Sequence, residues 1–500
     1  MKTIEQIAAG LQGYDPQSLR ATDVAAFLNQ LVAPVAETEE VGIFDALGRM
    51  LARDLVSPIS VPPHDNSAMD GYAFDGAQLA PGQTLALRPV GATAFAGKAW
   101  AGEVGAGECV RIMTGAVMPA GLDTVVPQEL TSATADGRIH ITADQLRRGA
   151  NRRLLGEDLM QGHVALAKGE LLTPAAIGLV ASLGLKIVTV YRRLRVAYFS
   201  TGDEILSLGE PPREGAVYDS NRYTVFGLLT RLGVQVIDLG TVRDEPALLE
   251  AAFRRAASEA DAIITSGGVS MGDADHTRTM MKQLGDVVFW RIAMRPGRPM
   301  AVGRIRPESP DYVHAVKAPH PSLSPKGQGR PTAPALRPLP LGEGGGEGQR
   351  PDPRHVENQE KTTFSAYPSS AISYQNESAN NNAGSVLFGL PGNPVAVMVS
   401  FLAFVRPALL RMMGCTRAAP PLLRAASAEP LRKKPGRTEY QRGLVSQGPD
   451  GQLQVRSTGN QGSGMLSSMV QANGLIVLQH DQGTVAAGDM VDVMMFDGVI

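Results

Sequence analysis

The sequence predicts a multidomain α/β protein. It combines a doubly wound, mostly parallel α/β domain with a small β domain, a discontinuous N-terminal helical linker domain and a C-terminal β-barrel-like domain. Strand-like and helix-like runs alternate from residue 192 onward, which is typical of a doubly wound sheet. Gly and Pro separate short apolar runs before residue 150 and after residue 416, which indicates β domains. A chain of 500 residues is long enough for several such domains.

The predicted domain bounds follow these changes of pattern. The linker domain takes residues 1–56 and 151–191, the small β domain 57–150, the α/β domain 192–306 and 384–415, and the C-terminal β domain 416–500. Residues 307–383 form a low-complexity insertion, because Pro, Gly and Asn dominate there and no apolar period could build a core. We expect this insertion to be disordered and dispensable for activity. A proline-rich recognition arm is the alternative.

The linker domain is predicted from helical periodicity on both sides of the small β domain. Val24, Phe27 and Leu31 recur at helical spacing, and a second short helix is predicted over 44–52. A further helix is predicted over 173–184, with Pro in its first turn and Gly after its last residue. We therefore expect the chain to leave a helical domain, form the small β domain and return.

Composition excludes several classes of partner. The 47 basic and 49 acidic residues leave a formal net charge of -2, so neither a nucleic acid nor a membrane is expected as partner. Cys109 and Cys415 lack a second thiol or a histidine at metal-ligand spacing, which fits a reducing, cytoplasmic location. The N-terminal residues include Glu5 and form no sustained apolar run, so no secretory signal is expected. The longest apolar run, 395–405, is shorter than the roughly 20 residues of a membrane span.

Polar loops follow the predicted strands of the α/β domain. Strands are predicted at 195–199, 235–239, 262–265, 299–305 and 384–390, and helices at 220–232 and 246–257. Ligands bind beyond the carboxyl ends of parallel strands, where the strings STGDE and SGGVSMGDAD fall. Either string alone could simply make a turn, whereas both at one sheet edge favour a binding site.

Two further segments favour an anionic ligand. In LPGNP, Asn393 is a good N-cap and Pro394 suits the first helical position, and a helix start attracts anions. Arg291, Arg295 and Arg298 lie close together in FWRIAMRPGRPM, where guanidinium groups could grip phosphate or another oxyanion. A solvated surface is the alternative for these arginines, but the Pro-Gly break between them indicates a loop.

The string DNSAMDGY, residues 65–72, groups carboxylates, an amide, a hydroxyl and a glycine without a helix or strand period. These residues also favour turns, so a turn is the simplest interpretation. Functional groups are nevertheless often carried on loops fixed by a rigid scaffold. The recurrence of comparable polar strings downstream favours a site.

Nine strings occur in an order that resembles the molybdopterin molybdenumtransferase family of molybdenum cofactor biosynthesis. They are DNSAMDGYAF, RIMTGAVMPAG, DTVVPQE, RRLLGEDL, FSTGDEIL, YDSNR, ITSGGVSMGDADHT, FWRIAMRPGRPM and GLPGNPVAV. The resemblance covers nearly the whole chain except the insertion. It implies that the α/β domain binds molybdopterin. It also implies that adenylylated molybdopterin and molybdate are the substrates, that Mg²⁺ assists, and that molybdenum cofactor and AMP are the products.

The resemblance also implies roles for individual residues. The implied metal ligands are Asp244, Asp275 and Glu204. The implied catalytic residues are Asp70, Thr114, Asp158, Glu204 and Asp275. The implied cofactor-binding residues are Ser200, Thr201, Gly202, Ser266, Gly267, Gly268, Ser270, Arg291, Arg295, Arg298, Pro391, Gly392, Asn393 and Pro394. Relatives often carry Lys where this chain has Arg, which preserves the charge and changes the geometry.

In this family the active site lies between two protomers, so the resemblance implies a homodimer in which Asp70, Thr114 and Asp158 complete the pocket of the partner subunit. Transient contacts with molybdopterin adenylyltransferase and with molybdoenzyme apoproteins are implied as well. Two rival functions stay open, namely molybdopterin adenylyltransferase and a non-catalytic molybdopterin-binding scaffold. Against the first, its usual GGTG-like turn reads Gly-Gly-Val-Ser here. Tungstate in place of molybdate is an alternative within the same enzyme class.

Overall fold

The computed structural model describes residues 2–11, 13–269, 276–307, 384–417, 419 and 421–496. The predicted insertion, apart from Pro307, lies outside the described residues. The predicted site residues Ser270 and Asp275 also lie outside them.

The first part of the chain contains few helices and many short strands. The helices are α1 (Ile4–Ala9), α2 (Ala21–Leu31) and α3 (Pro174–Ser182). The strands are β1 (Thr38–Gly42), β2 (Leu55–Val56), β3 (Asn66–Ser67), β4 (Gly71–Phe74), β5 (Thr84–Pro89), β6 (Glu108–Ile112), β7 (Thr124–Pro127), β8 (Thr131–Ala133), β9 (Ile139–Thr142), β10 (Arg152–Arg153), β11 (Val164–Leu166) and β12 (Ile187–Tyr191). Six of them form one sheet in the order β7-β4-β6-β5-β9-β8, which is the predicted small β domain.

The segments before and after this sheet fold together. Strand β1 pairs with β12 and β2 pairs with β11, both antiparallel, and α3 packs its apolar face into the same core. The predicted helix over 44–52 is wrong, since only a 3-10 turn forms at Ile43–Asp45. Gly48 has a φ of +74°, and Leu51 then bridges Val190 in an antiparallel pair. Met50 and Leu51 thus serve bridges to distant residues, whereas Phe44 and Leu47 are exposed.

Helices α1 and α2 pack on the α/β sheet. Phe27 meets Trp290 edge to face at 4.9 Å between ring centroids, and Trp290 Nε1 donates to the hydroxyl of Tyr14 at 2.9 Å. Ile7 and Leu28 belong to the same core. These helices therefore share their core with the sheet, whereas the sequence pattern grouped them with the linker domain. Helix periodicity reveals a buried face but not the partner that covers it.

The central part of the chain is an α/β domain. Its strands are β13 (Arg195–Thr201), β14 (Ile205–Leu206), β15 (Val217–Tyr218), β16 (Gln235–Val242), β17 (Ala262–Ser266), β18 (Gly285–Arg291), β19 (Met294–Arg295), β20 (Pro299–Ile305) and β21 (Ser385–Leu390). Its helices are α4 (Ser220–Leu232), α5 (Pro246–Glu259), α6 (His276–Leu284), α7 (Pro394–Ser400) and α8 (Arg406–Met412), with a π-helical turn at Phe401–Val405.

The sheet runs in the order β16-β13-β17-β21-β20-β18. Strands β16, β13, β17 and β21 are mutually parallel, whereas β20 is antiparallel to both of its neighbours. The predicted mostly parallel sheet is confirmed. Strands β20 and β21, predicted at 299–305 and 384–390, pair with each other across the insertion.

The helical run Pro394–Met412 is the single described one that is long and apolar enough to cross a membrane by length and composition alone. The fold buries 67% of its apolar window. Val397, Phe401 and Leu409 lie in the core that also contains the inner face of the sheet. The apolar character of this run is accounted for by the core.

The C-terminal part forms a closed β barrel. Its strands are β22 (Leu423–Ser427), β23 (Thr438–Gln447), β24 (Leu453–Ser457), β25 (Gly474–Leu478) and β26 (Met490–Met495), and its helix is α9 (Ser467–Gln471). The order β23-β24-β22-β26-β25 closes because β25 pairs back to β23. The predicted barrel-like domain is confirmed. Strand β19 adds to it in parallel, with Met294 opposite Thr438, and so ties the barrel to the arginine-rich segment.

Candidate functional site

The loops at the carboxyl ends of the parallel strands form one wall of a cavity of about 760 Å³. Gly267 and Gly268 enter it directly after β17, and Gly392 and Asn393 enter it after β21. Glu204, three residues beyond β13, lines the same wall. Sheet topology therefore gathers three of the predicted loops at one edge.

The opposite wall is cationic and comes partly from the barrel. Arg295 and Arg298 line it, together with Arg437, Gln461 and Ser463. The last three residues were missed by the sequence reasoning. Their strings, GRTEYQR and GNQGSG, combine glycine with polar groups as the predicted loops do, and this was the signal that could have identified them.

The two glycines after β17 are needed because the backbone elements approach closely. Gly267 has a φ of +91°, and a Cβ there would lie 2.4 Å from the carbonyl oxygen of Thr201. Gly268 has a φ of +62°, and a Cβ there would lie 2.4 Å from Cβ of Thr277 on α6. Gly267 also donates its N–H to the carbonyl of Leu390 at 3.1 Å. A larger side chain at either position would push the loop out of place.

A buried hydroxyl cluster supports these loops from below. The hydroxyl oxygen of Tyr198 lies 2.9 Å from that of Ser200 and 2.6 Å from that of Ser266. Burial raises the pKa of Tyr198, so its phenol stays neutral. Ser200, Thr201 and Ser266 are themselves buried and do not line the cavity. These predicted binding residues thus hold the strand ends on which the glycine loops stand.

The start of α7 is fixed to helix α4. Asn221 Nδ2 donates to the carbonyl oxygen of Gly392 at 2.7 Å. Asn393 precedes Pro394 at the helix start, but its side chain makes no capping hydrogen bond. Pro391 and Asn393 line the cavity, whereas Pro394 does not. The predicted N-cap position is therefore occupied as expected, without the side-chain bond that normally accompanies it.

The carboxylates proposed as metal ligands lie near the same strand ends. Asp244 follows β16; its N–H donates to Asp203 Oδ1 at 3.3 Å, and its Oδ1 accepts from the Thr277 hydroxyl at 3.1 Å. No group of three or more His, Cys, Asp or Glu side chains gathers as a metal site within the described ranges. Carboxylate oxygens suit Mg²⁺, which commonly uses one or two protein carboxylates together with substrate phosphates. Glu204 lines the cavity whereas Asp244 does not, and Asp275 lies outside the described residues.

The structure places Arg291 apart from the main cavity. It lines a smaller neighbouring cavity of about 140 Å³, together with Arg298, Arg437 and the turn Gln17–Ser18. Arg298 and Arg437 line both cavities. The three predicted arginines are therefore divided between two adjacent spaces.

The small β domain carries a second polar cluster. Asp70 Oδ1 accepts both the N–H and the hydroxyl of Thr114, each at 2.7 Å. The backbone and side-chain hydrogen bonds of Thr114, together with the nearby charge of Arg111, lower the pKa of Asp70. The structure thus brings Asp70 and Thr114 together on an exposed loop. Neither of them lines the cavity of the same chain.

Asp158 lies on the adjoining loop. Strands β3 and β10 pair, so that DNSAMDGY lies beside RRLLGEDL, and the N–H of Leu155 donates to Asp65 Oδ1 at 2.7 Å. The N–H of Asp158 donates to the carbonyl of Val61 at 3.1 Å, and its side chain is exposed. No contact joins its carboxylate to Asp70 in the described part of the chain.

Comparison with known families gives matches along three stretches. A model described as the MoeA N-terminal region (domain I and II) matches residues 19–184. A model described as a probable molybdopterin binding domain matches 197–411, and one described as the MoeA C-terminal region (domain IV) matches 424–496.

Whole-length relatives are similar in sequence and in fold. The molybdopterin molybdenumtransferase of Haemophilus influenzae is 36% identical over 95% of this chain and 97% of its own. Molybdopterin molybdenumtransferase 2 of Mycobacterium tuberculosis is 30% identical over 91% of this chain and 94% of its own. The crystal structure of the molybdopterin biosynthesis moeA protein from Pyrococcus horikoshii OT3 superposes with a TM-score of 0.69 at 21% identity, covering 96% of this chain and 100% of that one. The last comparison concerns the fold alone.

Proposed function

Because the chain belongs to the molybdopterin molybdenumtransferase family, we propose that it is a transferase that inserts molybdenum from molybdate into adenylylated molybdopterin, with hydrolysis of the adenylate and release of AMP. The observation that carries the proposal is the cavity between the strand-end loops and the cationic barrel wall. Its volume of about 760 Å³ lies in the range of roughly 300–1,000 Å³ found for small-molecule sites.

The two walls suit different parts of such a substrate. Glycine loops allow close backbone approach to a flat pterin or a phosphate. The guanidinium groups of Arg295, Arg298 and Arg437 offer fixed donors and positive charge to phosphate and molybdate. Charge that develops on the leaving phosphate would be stabilised by donors already in place, which is the usual source of catalytic power in such sites.

Glu204 and Asp244 are the described residues that would hold Mg²⁺, with Asp275 as the further predicted ligand. When bound, the ion would polarise the phosphoanhydride and offset negative charge on AMP as it leaves. The hydrogen bonds of Asp244 to Asp203 and Thr277 keep its carboxylate at the strand ends, beside the turn that carries Gly268.

We further propose a homodimer with an intersubunit site. Asp70 and Thr114 form an exposed polar pair that does not line the cavity of their own chain, so we propose that they contribute to the site of a partner subunit. The linker region also exposes large apolar side chains, with exposed fractions of 95% for Phe44, 54% for Leu47 and 56% for Ile187. Ile43 donates its N–H to the carbonyl of Lys186 at 3.1 Å, so these side chains share one region. Such a patch is typical of a protein interface.

The experiment that tests the function is AMP release from adenylylated molybdopterin, with and without molybdate and Mg²⁺. We expect AMP and molybdenum cofactor only when both are present. Adenylylation of molybdopterin by ATP would support the rival adenylyltransferase. Binding of the substrate without turnover would support a scaffold. Replacing molybdate by tungstate in the same assay measures which anion the enzyme prefers.

The remaining parts of the proposal concern the cellular setting. From the family we infer a cytoplasmic location and transient contacts with molybdopterin adenylyltransferase and with molybdoenzyme apoproteins. Because the net charge of -2 is near neutral, we expect neither a nucleic-acid nor a membrane partner. Co-purification of the tagged chain from cell extract, with and without nuclease, tests these partners.

A further inference from the structure

The string YDSNR, residues 218–222, contributes no residue to the lining of the main cavity, yet its asparagine contacts a loop that does. Asn221 lies in the first turn of α4 and is buried, with an exposed fraction of 8%. We propose that Asn221 is a positioning residue, whose amide holds the Gly392–Asn393 peptide in the orientation that receives the organic substrate. The inference rests on the proposed function and deepens it, because it names a residue that prepares the site without lining it.

The loop that Asn221 contacts has little to fix it locally. A Cβ at Gly392 would meet no atom within 4 Å, and the φ of Gly392 is not positive, so neither crowding nor backbone conformation requires a glycine there. Gly267 and Gly268 differ, since both are crowded. A glycine in open space leaves its peptide units free to rotate. A contact from outside the loop must therefore select one orientation.

The amide of Asn221 supplies that contact. Its Nδ2 donates to the carbonyl oxygen of Gly392 at 2.7 Å. Because a peptide unit is planar, fixing this carbonyl also fixes the N–H of Asn393 on the opposite side of the same unit. The bond directs the carbonyl oxygen towards α4. A rotated peptide would be free to present this oxygen to the phosphate of the substrate, and its partial negative charge would repel that anion.

The other end of the amide indicates that packing alone does not explain this residue. The Oδ1 atom of Asn221 is buried and has no hydrogen-bond partner among the residues that the structure describes. A buried acceptor without a partner lowers stability, and departures of this kind are expected where function requires them. An apolar side chain would avoid the cost but would lose the donor to Gly392.

The first turn of α4 is itself anchored, so Asn221 acts from a fixed support. Asp219 caps the helix: its Oδ1 accepts the N–H of Arg222 at 3.0 Å, and its Oδ2 accepts the hydroxyl of Thr241 at 3.2 Å. Arg222 forms a bidentate pair with Asp238, with Nε 2.9 Å from Oδ1 and Nη2 2.8 Å from Oδ2. Thr241 and Asp238 both lie on β16. Strands β13 and β17 separate β16 from β21, so α4 links two strand ends that share no ladder.

The test compares Asn221→Ala with Asn473→Ala in the full-length chain. Asn473 is the matched control because its Nδ2 also donates to a backbone carbonyl, that of Val445 at 2.8 Å, while it lies in the barrel domain and lines neither cavity. Hydrogen–deuterium exchange over 391–395 should become about fivefold faster in Asn221→Ala, as expected for the loss of one hydrogen bond that limits local opening. Exchange over 391–395 should be unchanged in Asn473→Ala.

Kinetics then separate positioning from general destabilisation. In the AMP-release assay, the KM for adenylylated molybdopterin should rise by about fivefold in Asn221→Ala, because only part of the loop population is then competent to bind. The KM for molybdate and the kcat should stay within about twofold of the wild type, since the cationic wall is unchanged and bound substrate selects the competent loop. Asn473→Ala should keep all three values, although its melting temperature should fall.

A second variant guards against a folding defect. Asn221→Ser keeps a polar group in the first helical turn, but its hydroxyl is too short to replace the amide at Gly392, so it should show the same changes. Wild-type exchange and wild-type KM in both Asn221 variants would overturn the inference. An equal rise of KM in Asn473→Ala would overturn it as well. If the wild type released no AMP while exchange over 391–395 still depended on Asn221, the proposed function would fail and the anchoring of the loop would stand.

Discussion

At the scale of single residues, the pair Asp70 and Thr114 offers the sharpest test of the small β domain. We expect Asp70→Ala to reduce AMP release by about a hundredfold or more, as for loss of a group that acts on the transition state, without loss of the fold. The matched control is Asp136→Ala, because Asp136 is another exposed carboxylate of the same domain with a lowered pKa and a threonine partner, Thr134. Kinetics and melting temperature of both variants provide the measurement. Equal activities of the two variants would remove Asp70 from the site.

The lowered pKa of Asp70 also predicts a pH effect. Two hydrogen bonds from Thr114 favour the ionised carboxylate, so Asp70 stays charged to a lower pH than a free aspartate. Thr114→Val removes the hydroxyl bond and keeps the backbone bond, which moves the pKa up towards its ordinary value. The acidic limb of the pH profile of kcat/KM should therefore shift to higher pH in Thr114→Val. An unshifted acidic limb would mean that another group controls it.

The buried hydroxyl of Tyr198 is expected to stabilise the strand ends. Tyr198→Phe removes its contacts with Ser200 and Ser266 and should lower the free energy of unfolding by about 1 kcal/mol. Tyr440→Phe is the control, since Tyr440 is also buried but makes no side-chain hydrogen bond with another described residue. Urea unfolding of both variants is the measurement. A larger loss in the control would show that packing rather than hydrogen bonding dominates.

At the scale of elements, the pairing of β20 with β21 predicts that the insertion can be removed. Ile305 lies opposite Ser385 in the antiparallel register, so the chain ends on both sides of the insertion are neighbours. Replacing 307–383 by a short Asn-Gly turn should leave AMP release within about twofold of wild type, because such turns suit antiparallel hairpins. A soluble deletion variant without turnover would assign the insertion a functional role.

The elements also show what the sequence could reveal and what it could not. Strands 195–199 and 262–265 were predictable because their apolar runs alternate with helices of about a dozen residues. The segment 44–52 was not, because Leu51 bridges Val190 of the distant strand β12 while Phe44 and Leu47 stay exposed. Local periodicity cannot report a partner that is more than a hundred residues away.

The same reasoning applies to the site. The strand-end loops were predictable, since parallel topology places them at one edge. The barrel wall with Arg437 and Ser463 was not, because it depends on the pairing of β19 with β23, and a strand of 2 residues has no period to read. The division of Arg291 from Arg295 likewise depends on tertiary packing rather than on spacing in the sequence.

At the scale of the whole molecule, an intersubunit site predicts complementation. Co-expressed Asp70→Ala and Glu204→Gln chains should each be inactive as homodimers. A heterodimer combines both defects in one site and leaves the other intact, so random pairing should restore about a quarter of wild-type activity. Tandem-tag purification of the heterodimer followed by the AMP-release assay checks this, and the purified heterodimer should show about half of the wild-type activity per dimer because one of its two sites is intact. No recovery in a confirmed heterodimer would place both residues in the same subunit's site.

Because the main cavity is divided between the sheet and the barrel, its lining residues are synthesised in a fixed order. Its lining begins at Glu204 and is complete only at Ser463. At synthesis rates of about 5–20 residues per second, roughly ten to fifty seconds pass between these two residues on the ribosome. During that interval the glycine loops can form while the barrel arginine, Arg437, is still missing. A nascent or prematurely terminated chain thus contains only the sheet side of the cavity. The complete binding site forms only when the barrel, the last domain to be synthesised, has been made.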